Sequence, residues 1–243
     1  NGRVPWKERT AHVQEIGVVF GQRSQLWWDV PVADSFELLR DIYRVDGAAY
    51  RKTLSRLTEL LELGELLRTP ARQLSLGQRM RCEIAAALLH EPKILFLDEP
   101  TIGLDAVSKA AVRGFIRTCN KERGTTVILT THDMQDIEAL AERILLIGRG
   151  RILLDGTLDE LKRRRPAQRR LTVAYGGGAL PVVEGLTPLR DADGHAELLL
   201  DTDLLSVSEA VARISAQTEV KDLSVSGESI EELVVSLYRE YRI

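Results

Sequence analysis

A chain of 243 residues with 44% apolar residues can bury one sizeable core, or a core with an appended unit. The net charge of −3 gives no general reason to expect a nucleic-acid partner, and no apolar run approaches the ~18 residues that cross a bilayer. Cys82 and Cys119 lie far apart without metal-ligand spacing, so both are expected to be small buried apolar side chains.

The N-terminal part predicts one strand followed by helices. The strand covers residues 13–20, and Gly21 and Gln22 mark its end. A loop with two adjacent tryptophans, Trp27 and Trp28, follows. Neighbouring side chains point to different faces, so either tryptophan is a candidate for a partner surface or for ordinary packing. Helices are predicted over 35–44 and 50–67, the second from leucines at helical spacing.

A further helix is predicted between Ser75 and Pro92. Ser75 is a suitable N-cap, Gly77 follows it closely, and the residues beyond are rich in alanine and leucine. Free N–H groups and the positive end of the helix dipole make such a start a possible anion site, although most capped helices bind nothing there.

The most informative stretch is KILFLDEPTIGLD, residues 93–105. Its unbroken apolar run at 94–97 predicts a strand buried on both faces at the centre of a parallel sheet, and Pro100 ends it. Asp98 and Glu99 then lie at the carboxyl end of that strand, the edge where open α/β sheets bind ligands.

The next elements are a helix over 107–121 and a strand over 125–131 that ends at His132. A right-handed strand–helix–strand connection makes the two strands parallel, so His132 is expected at the same edge as Asp98 and Glu99. A helix over 134–142, a hairpin of 143–147 with 151–154, and a helix over 157–165 follow.

The composition changes at the basic run of residues 162–170. A solvated linker is the favoured interpretation, and contact with anionic lipid or nucleic acid is the alternative. The rest predicts a small α+β unit without a catalytic cluster. Its expected strands cover 171–175, 196–200 and 219–225, and its expected helices cover 204–216 and 229–239.

In this order, the motifs resemble those of the ATP-binding subunit of an ABC transporter. Gln22 stands at the position of the Q-loop glutamine, residues 74–78 (LSLGQ) resemble the signature, and residues 94–99 resemble the Walker B strand with its glutamate. Residues 102–105 resemble the D-loop, and His132 resembles the switch histidine. The LSLGQ variant and the paired tryptophans are most similar to bacterial ABC-2-type exporters, including those that export drugs and polysaccharides.

The resemblance implies an α/β, P-loop NTPase-like core with a parallel sheet and a helical subdomain. We expect the ATPase domain over 1–165, its helical subdomain over about 25–90, and an α+β accessory domain over 166–243. Two departures stand out. Leu76 replaces a glycine of the signature, and no Gly-Lys pair occurs in the chain, so the P-loop is missing. N-terminal truncation is the simplest explanation, and the chain alone is expected to be inactive.

For the intact protein, the resemblance implies ATP and Mg²⁺ as cofactors, bound between two subunits. Glu99 would polarise the attacking water and His132 would hold the γ-phosphate. Asp98 and Gln22 would serve the metal, and Gln22 would also contact the lytic water. Ser75, Gly77 and Gln78 would bind the phosphates of the opposite subunit's nucleotide, and Asp105 would couple the two sites.

The implied partners are a transmembrane permease and a second ATPase subunit, with a homodimer as the expectation and no nucleic acid expected. The implied location is the cytoplasmic side of the cell membrane, on the permease. Two alternatives remain open. One is a soluble ABC ATPase that acts on nucleic acid or the ribosome, and the other is a catalytically inactive assembly or regulatory subunit.

Overall fold

The computed structural model describes residues 1–21, 23–163, 168–178 and 180–227. Contacts divide the chain into two units, Asn1–Leu140 and Ala141–Ile243. The second unit thus begins earlier than the accessory domain expected at residue 166, and that expected boundary stays a prediction.

A three-stranded parallel sheet forms the centre of the first unit. Its strands are β1 (Ile16–Phe20), β2 (Ile94–Asp98) and β3 (Thr126–Thr130), in the order β1-β2-β3. β2 is the central strand, as predicted, and all three carboxyl ends lie at one edge. Its two faces differ in burial. Leu95 and Leu97 are fully buried, whereas Ile94 and Phe96 are only partly covered, so the prediction of burial on both faces is only half right.

Helices cover the sheet and fill the rest of the first unit. They are α1 (Arg9–Val13), α2 (Val32–Tyr43), α3 (Gly47–Leu60), α4 (Leu76–Leu88), α5 (Ala106–Arg123) and α6 (Met134–Leu140), with 3-10 turns at Leu66–Arg68 and Ala71–Gln73. α4 is buried over most of its circumference, because its alanines let neighbours approach closely. A Cβ added at Gly17 of β1 would collide with the carbonyl of Ala87.

The helix predicted over 50–67 ends early, at Leu60. Glu62 takes a left-handed conformation with φ of 51°, and the Leu63 N–H donates back to the Thr58 carbonyl at 2.9 Å. This backbone bond closes the helix end in the manner of a Schellman motif. The leucines beyond it belong to a separate turn, so the leucine spacing overestimated the length of the helix.

The second unit begins with a hairpin of β4 (Ile144–Gly148) and β5 (Arg151–Gly156). Arg149 and Gly150 both have positive φ, the conformation that two-residue hairpin turns require. Helix α7 (Leu158–Arg163) follows, and a capping box begins it. The Thr157 N–H donates to the Glu160 carboxylate at 2.7 Å, and the Glu160 N–H donates to the Thr157 hydroxyl at 3.1 Å.

An antiparallel sheet and one helix complete the second unit. The elements are β6 (Gln168–Gly178), β7 (Leu186–Ala192), β8 (His195–Asp201), α8 (Val207–Gln217) and β9 (Thr218–Gly227), with the strand order β7-β8-β6-β9. Leu171, Leu200 and Ile214 are fully buried in its core. The helix predicted over 229–239 lies outside the described residues. In the described part of the chain, no helix combines the length and apolar character needed to cross a bilayer.

Candidate functional site

The acidic pair after β2 lies at the carboxyl edge of the parallel sheet. Asp98 is the last residue of β2 and pairs in register with Thr130, the last residue of β3. The Thr130 hydroxyl donates a 2.5 Å hydrogen bond to Asp98 Oδ1. The carboxylate of Asp98 is exposed, so it is held in place from one side and open to a ligand on the other.

Glu99 leaves the strand through a left-handed conformation, with φ of 50°. Its N–H donates to the Thr130 carbonyl at 3.0 Å, so the turn is tied to the neighbouring strand. A non-glycine residue in this region costs about 1 kcal/mol, and such strain is concentrated at functional sites. The glutamate side chain is 28% exposed, and it therefore lies at the surface of the edge without being free in solvent.

His132 lies against Glu99, as the parallel arrangement of β2 and β3 predicts. Nδ1 of the ring is 2.8 Å from Glu99 Oε1, and the ring is 74% exposed. A carboxylate only accepts hydrogen bonds, so the proton of this bond is on Nδ1. The hydrogen bond to Glu99 and the charge of Glu99 raise the pKa of His132, and the charge of Asp133 adds to the effect.

Gly21 brings the end of β1 to the same edge. Its N–H donates to the Asp98 carbonyl at 2.7 Å, and a Cβ added there would lie 2.5 Å from the Glu99 carbonyl oxygen. Only glycine can approach the acidic turn this closely. Gln22, the next residue and a predicted site residue, lies outside the described residues.

The signature residues begin α4. The Ser75 hydroxyl accepts from the Gln78 N–H at 3.2 Å, and the Gln78 side chain accepts from the Ser75 N–H at 2.9 Å. This capping box confirms Ser75 as the N-cap. Gly77 is buried against α5, so a Cβ added there would collide with the Ser108 hydroxyl.

Asp105 caps the following helix, α5. Its carboxylate accepts from the Ser108 N–H at 2.8 Å and from the Ser108 hydroxyl at 3.0 Å, and these bonds lower the pKa of Asp105. Leu76 packs beside the same turn, since a Cβ added at Gly103 would lie 3.0 Å from Leu76 Cδ2. The variant leucine of the signature therefore contacts the D-loop of its own chain.

The predicted site residues that the structure describes thus form two groups in the first unit. One group comprises Asp98, Glu99 and His132 at the sheet edge, and the other comprises Ser75, Gly77, Gln78 and Asp105 at two helix starts. Among the described residues, no hydrogen bond or ion pair joins the two groups. Sequence reasoning missed Thr130 and Ser108, which hold Asp98 and Asp105. Thr130 could have been found from the sequence, because it ends the strand parallel to β2 in register with Asp98.

The sheet edge suits a metal only in combination with a ligand. Within the described residues, no cluster of three or more His, Cys, Asp or Glu side chains could hold a metal ion. Mg²⁺ commonly keeps several waters and binds through one or two carboxylates together with substrate phosphates. The single open carboxylate of Asp98 fits that donor set, and it does not fit a metal site made of protein alone.

Comparison with known proteins gives consistent results. The family described as "ABC transporter" matches residues 1–102. The daunorubicin resistance ATP-binding protein DrrA3 of Streptomyces coeruleorubidus is 32% identical over 91% of this chain and 72% of its own length. The daunorubicin/doxorubicin resistance ATP-binding protein DrrA of Streptomyces peucetius is 33% identical over 80% of this chain and 62% of its own length.

The fold is also shared with solved structures. The ATP-binding cassette MJ0796, in a dimeric post-hydrolysis state with ADP and Pi, matches with a TM-score of 0.55 and 29% identity. The match covers 65% of this chain and 69% of that one. The expected fold class, an α/β ATPase core with a parallel sheet, is confirmed.

Proposed function

This chain belongs to the ATP-binding proteins of ABC transporters, and we propose that its Glu99–His132 pair is the hydrolytic centre of an ABC-2-type exporter ATPase. The observation that carries the proposal is the 2.8 Å contact between these two side chains at the carboxyl edge of the sheet. Glu99 is the general base that polarises the attacking water. The two Streptomyces relatives are named as resistance proteins, and these names support export as the direction of transport.

His132 is suited to hold the γ-phosphate. Its Nδ1 is engaged by Glu99, which leaves Nε2 as the ring atom directed to a ligand. The raised pKa increases the fraction of protonated ring, and a protonated ring donates from Nε2 and complements the charge of a phosphate. One interaction with Glu99 therefore both orients the ring and favours its charged form.

Asp98 and Gln22 are the proposed protein ligands of Mg²⁺. Mg²⁺ supplies charge neutralisation for the phosphates when it is bound. The bond from Thr130 fixes the carboxylate of Asp98, so the protein provides an acceptor of defined position. Gln22 carries the further role of contacting the lytic water and passing the state of the site to the permease.

Ser75, Gly77 and Gln78 are proposed to bind the nucleotide of a second subunit. Among the described residues, no acceptor contacts the N–H groups of Leu76 and Gly77 at the start of α4. Free N–H groups at a helix start attract anions, so these two groups suit a phosphate. Asp105 accepts from the Ser108 hydroxyl, which in turn lies next to Gly77. Asp105 therefore couples the signature of one subunit to the site of the other.

The proposed partners are an identical ATPase subunit and a transmembrane permease. Trp27 and Trp28 are 42% and 53% exposed, and Ile42 of α2 is 57% exposed, so the helical part of the first unit presents apolar side chains to a partner. The proposed location is the cytoplasmic face of the cell membrane, where the permease holds the ATPase.

The test compares wild type with Glu99→Gln in protein expressed from the whole reading frame. Loss of a general base lowers turnover by about a hundredfold or more, whereas ATP affinity stays close to that of wild type. Phosphate release and calorimetric titration measure the two quantities. Glu138→Gln, an exposed change on α6, is the matched control. Hydrolysis at the wild-type rate in Glu99→Gln would remove Glu99 from the role of base.

A further inference from the structure

A fully buried carboxylate lies behind the candidate site and takes no part in the function proposed above. Asp136, in the first turn of α6, is 0% exposed. A buried carboxylate is costly unless it is paired and hydrogen-bonded, so the fold must compensate it. Its partners show what it holds together.

Three donors reach Asp136 from three different segments. Thr101, in the turn after Glu99, donates its hydroxyl to Oδ2. Thr131, which directly follows β3 and precedes His132, donates to the same oxygen at 3.0 Å. Arg113 of α5 donates from Nε to Oδ1 at 2.5 Å. The two hydroxyls therefore converge on one oxygen, and the guanidinium neutralises the other.

These contacts lie directly beside the two reacting side chains. Thr101 is two residues after Glu99, and Thr131 immediately precedes His132. The Thr131 hydroxyl also accepts from the Asp133 N–H at 3.0 Å, so it orders the turn in which His132 sits. One buried oxygen thus restrains both chain segments that carry the Glu99–His132 pair.

The surrounding charges keep this arrangement rigid. Asp133 Oδ2 accepts a 2.6 Å hydrogen bond from Lys109 Nζ and lies 3.4 Å from Arg113 Nη2. The side chain of Arg113 is only 15% exposed. Arg113 and Lys109 therefore fix α5 against the start of α6, and Asp136 extends the same network inward to the two threonines.

We propose that Asp136 is a positioning residue that sets the separation of Glu99 and His132 by holding the turns on which they lie. The effect of Asp136 on catalysis rests on the proposed function. Its effect on the hydrogen bond between Glu99 and His132 does not depend on that function. Removing one of the two hydroxyls loosens one turn while Asp136 keeps its ion pair with Arg113.

The test uses Thr101→Val and Thr131→Val, which delete one hydroxyl each and keep the side-chain shape. Thr53→Val is the matched control, because Thr53 is also buried and donates to a carboxylate, that of Glu91, at 3.0 Å. Long-range ¹H–¹⁵N spectra of the 243-residue chain report which ring nitrogen of His132 carries the proton, at a pH where the ring is neutral. His132→Asn assigns the signal.

In wild type and Thr53→Val, we expect the Nδ1–H form of His132 to be the major form, because Glu99 accepts from Nδ1. In Thr101→Val and Thr131→Val, we expect the Nε2–H form to become the major one. The proposal would be overturned if the Nδ1–H form of His132 stayed the major form in both variants. It would also be overturned if Thr53→Val changed the tautomer equally, or if the wild-type ring lacked the Nδ1–H form. Thr131 is only partly buried, so Thr131→Val is expected to fold. If Thr101→Val does not fold, the result for Thr131→Val decides the test.

A kinetic readout in protein from the whole reading frame separates this inference from the proposed function. Misplacement of the pair predicts a kcat lowered about tenfold to a hundredfold in Thr131→Val, with KM within about twofold of wild type. If the wild-type protein hydrolyses ATP and Thr131→Val does so at the same rate, the positioning role is overturned and the proposed function stands. Absence of hydrolysis in wild type would count against the function, and the ring spectra would then decide the inference.

Discussion

Glu83 of α4 is a buried carboxylate that fastens the loop after Gln22 to the signature helix. It is 3% exposed, and it accepts from the Ser24 hydroxyl and from the Gln25 N–H, the latter at 3.2 Å. The Gln25 side chain also donates to the Glu83 carbonyl at 3.0 Å. Replacing Glu83 by alanine removes the side-chain bonds and leaves the carbonyl bond.

The expected cost of Glu83→Ala is about 2 kcal/mol. Leaving the Gln25 N–H without an acceptor costs roughly 1–3 kcal/mol, and the lost methylene adds about 1 kcal/mol. Ser24 contributes less, because it is exposed and already has a second acceptor in the Leu26 carbonyl at 3.4 Å. Burial raises the pKa of Glu83, so removing its charged form offsets part of this cost.

Tryptophan fluorescence during urea unfolding measures this change in the first unit alone. All three tryptophans, Trp6, Trp27 and Trp28, lie within Asn1–Leu140. With a urea dependence of about 2 kcal/mol per molar, a loss of 2 kcal/mol lowers the midpoint by roughly 1 M. Glu59→Ala, an exposed change on α3, should leave the midpoint in place. An equal midpoint in wild type and Glu83→Ala would refute the anchoring role of Glu83.

Two further predictions concern the site residues themselves. Glu99→Gln should lower the pKa of His132 toward the ordinary histidine value, because the first cause of the raised pKa is the hydrogen bond to Glu99; NMR titration of the ring measures it, and an unchanged pKa would contradict it. Since the folded pKa is raised, the stability from this pair is fully present below the unfolded pKa and is lost as the pH rises through the folded pKa. Ser75→Ala should destabilise the first unit by about 1 kcal/mol through loss of the α4 cap, with a lower urea midpoint as the readout; no shift in that midpoint would show that the capping box carries no stability.

The sequence was sufficient to predict the sheet edge and its acidic pair. The apolar run of β2 and the turn at Pro100 locate Asp98 and Glu99, and the parallel connection brings His132 beside them. The α4 cap followed from local chemistry too, because Ser75 and Gln78 satisfy each other within one turn. These features depend on neighbours along the chain or on a general rule of handedness.

Features that depend on individual tertiary contacts could not be predicted. β7 went unnoticed because it contains Pro188 and most of its residues are exposed, so it shows no apolar alternation. β6 also continues through the glycines at 176–178, beyond the end of the strand predicted over 171–175. Asp136 gave no signal, because two of its three donors, Thr101 and Arg113, are distant in sequence and only the folded chain brings them to one carboxylate.

The proposed function requires two subunits that enclose ATP between the Glu99–His132 site of one chain and the signature helix of the other. Sedimentation of the Glu99→Gln protein from the whole reading frame, with and without ATP and Mg²⁺, tests it most directly. Because the nucleotide persists when hydrolysis is blocked, we expect a dimer with ATP and a monomer without it. Adding Ser75→Arg should abolish the dimer and leave ATP binding intact. A monomer under both conditions, or a dimer that forms without nucleotide and ignores Ser75→Arg, would contradict the claim.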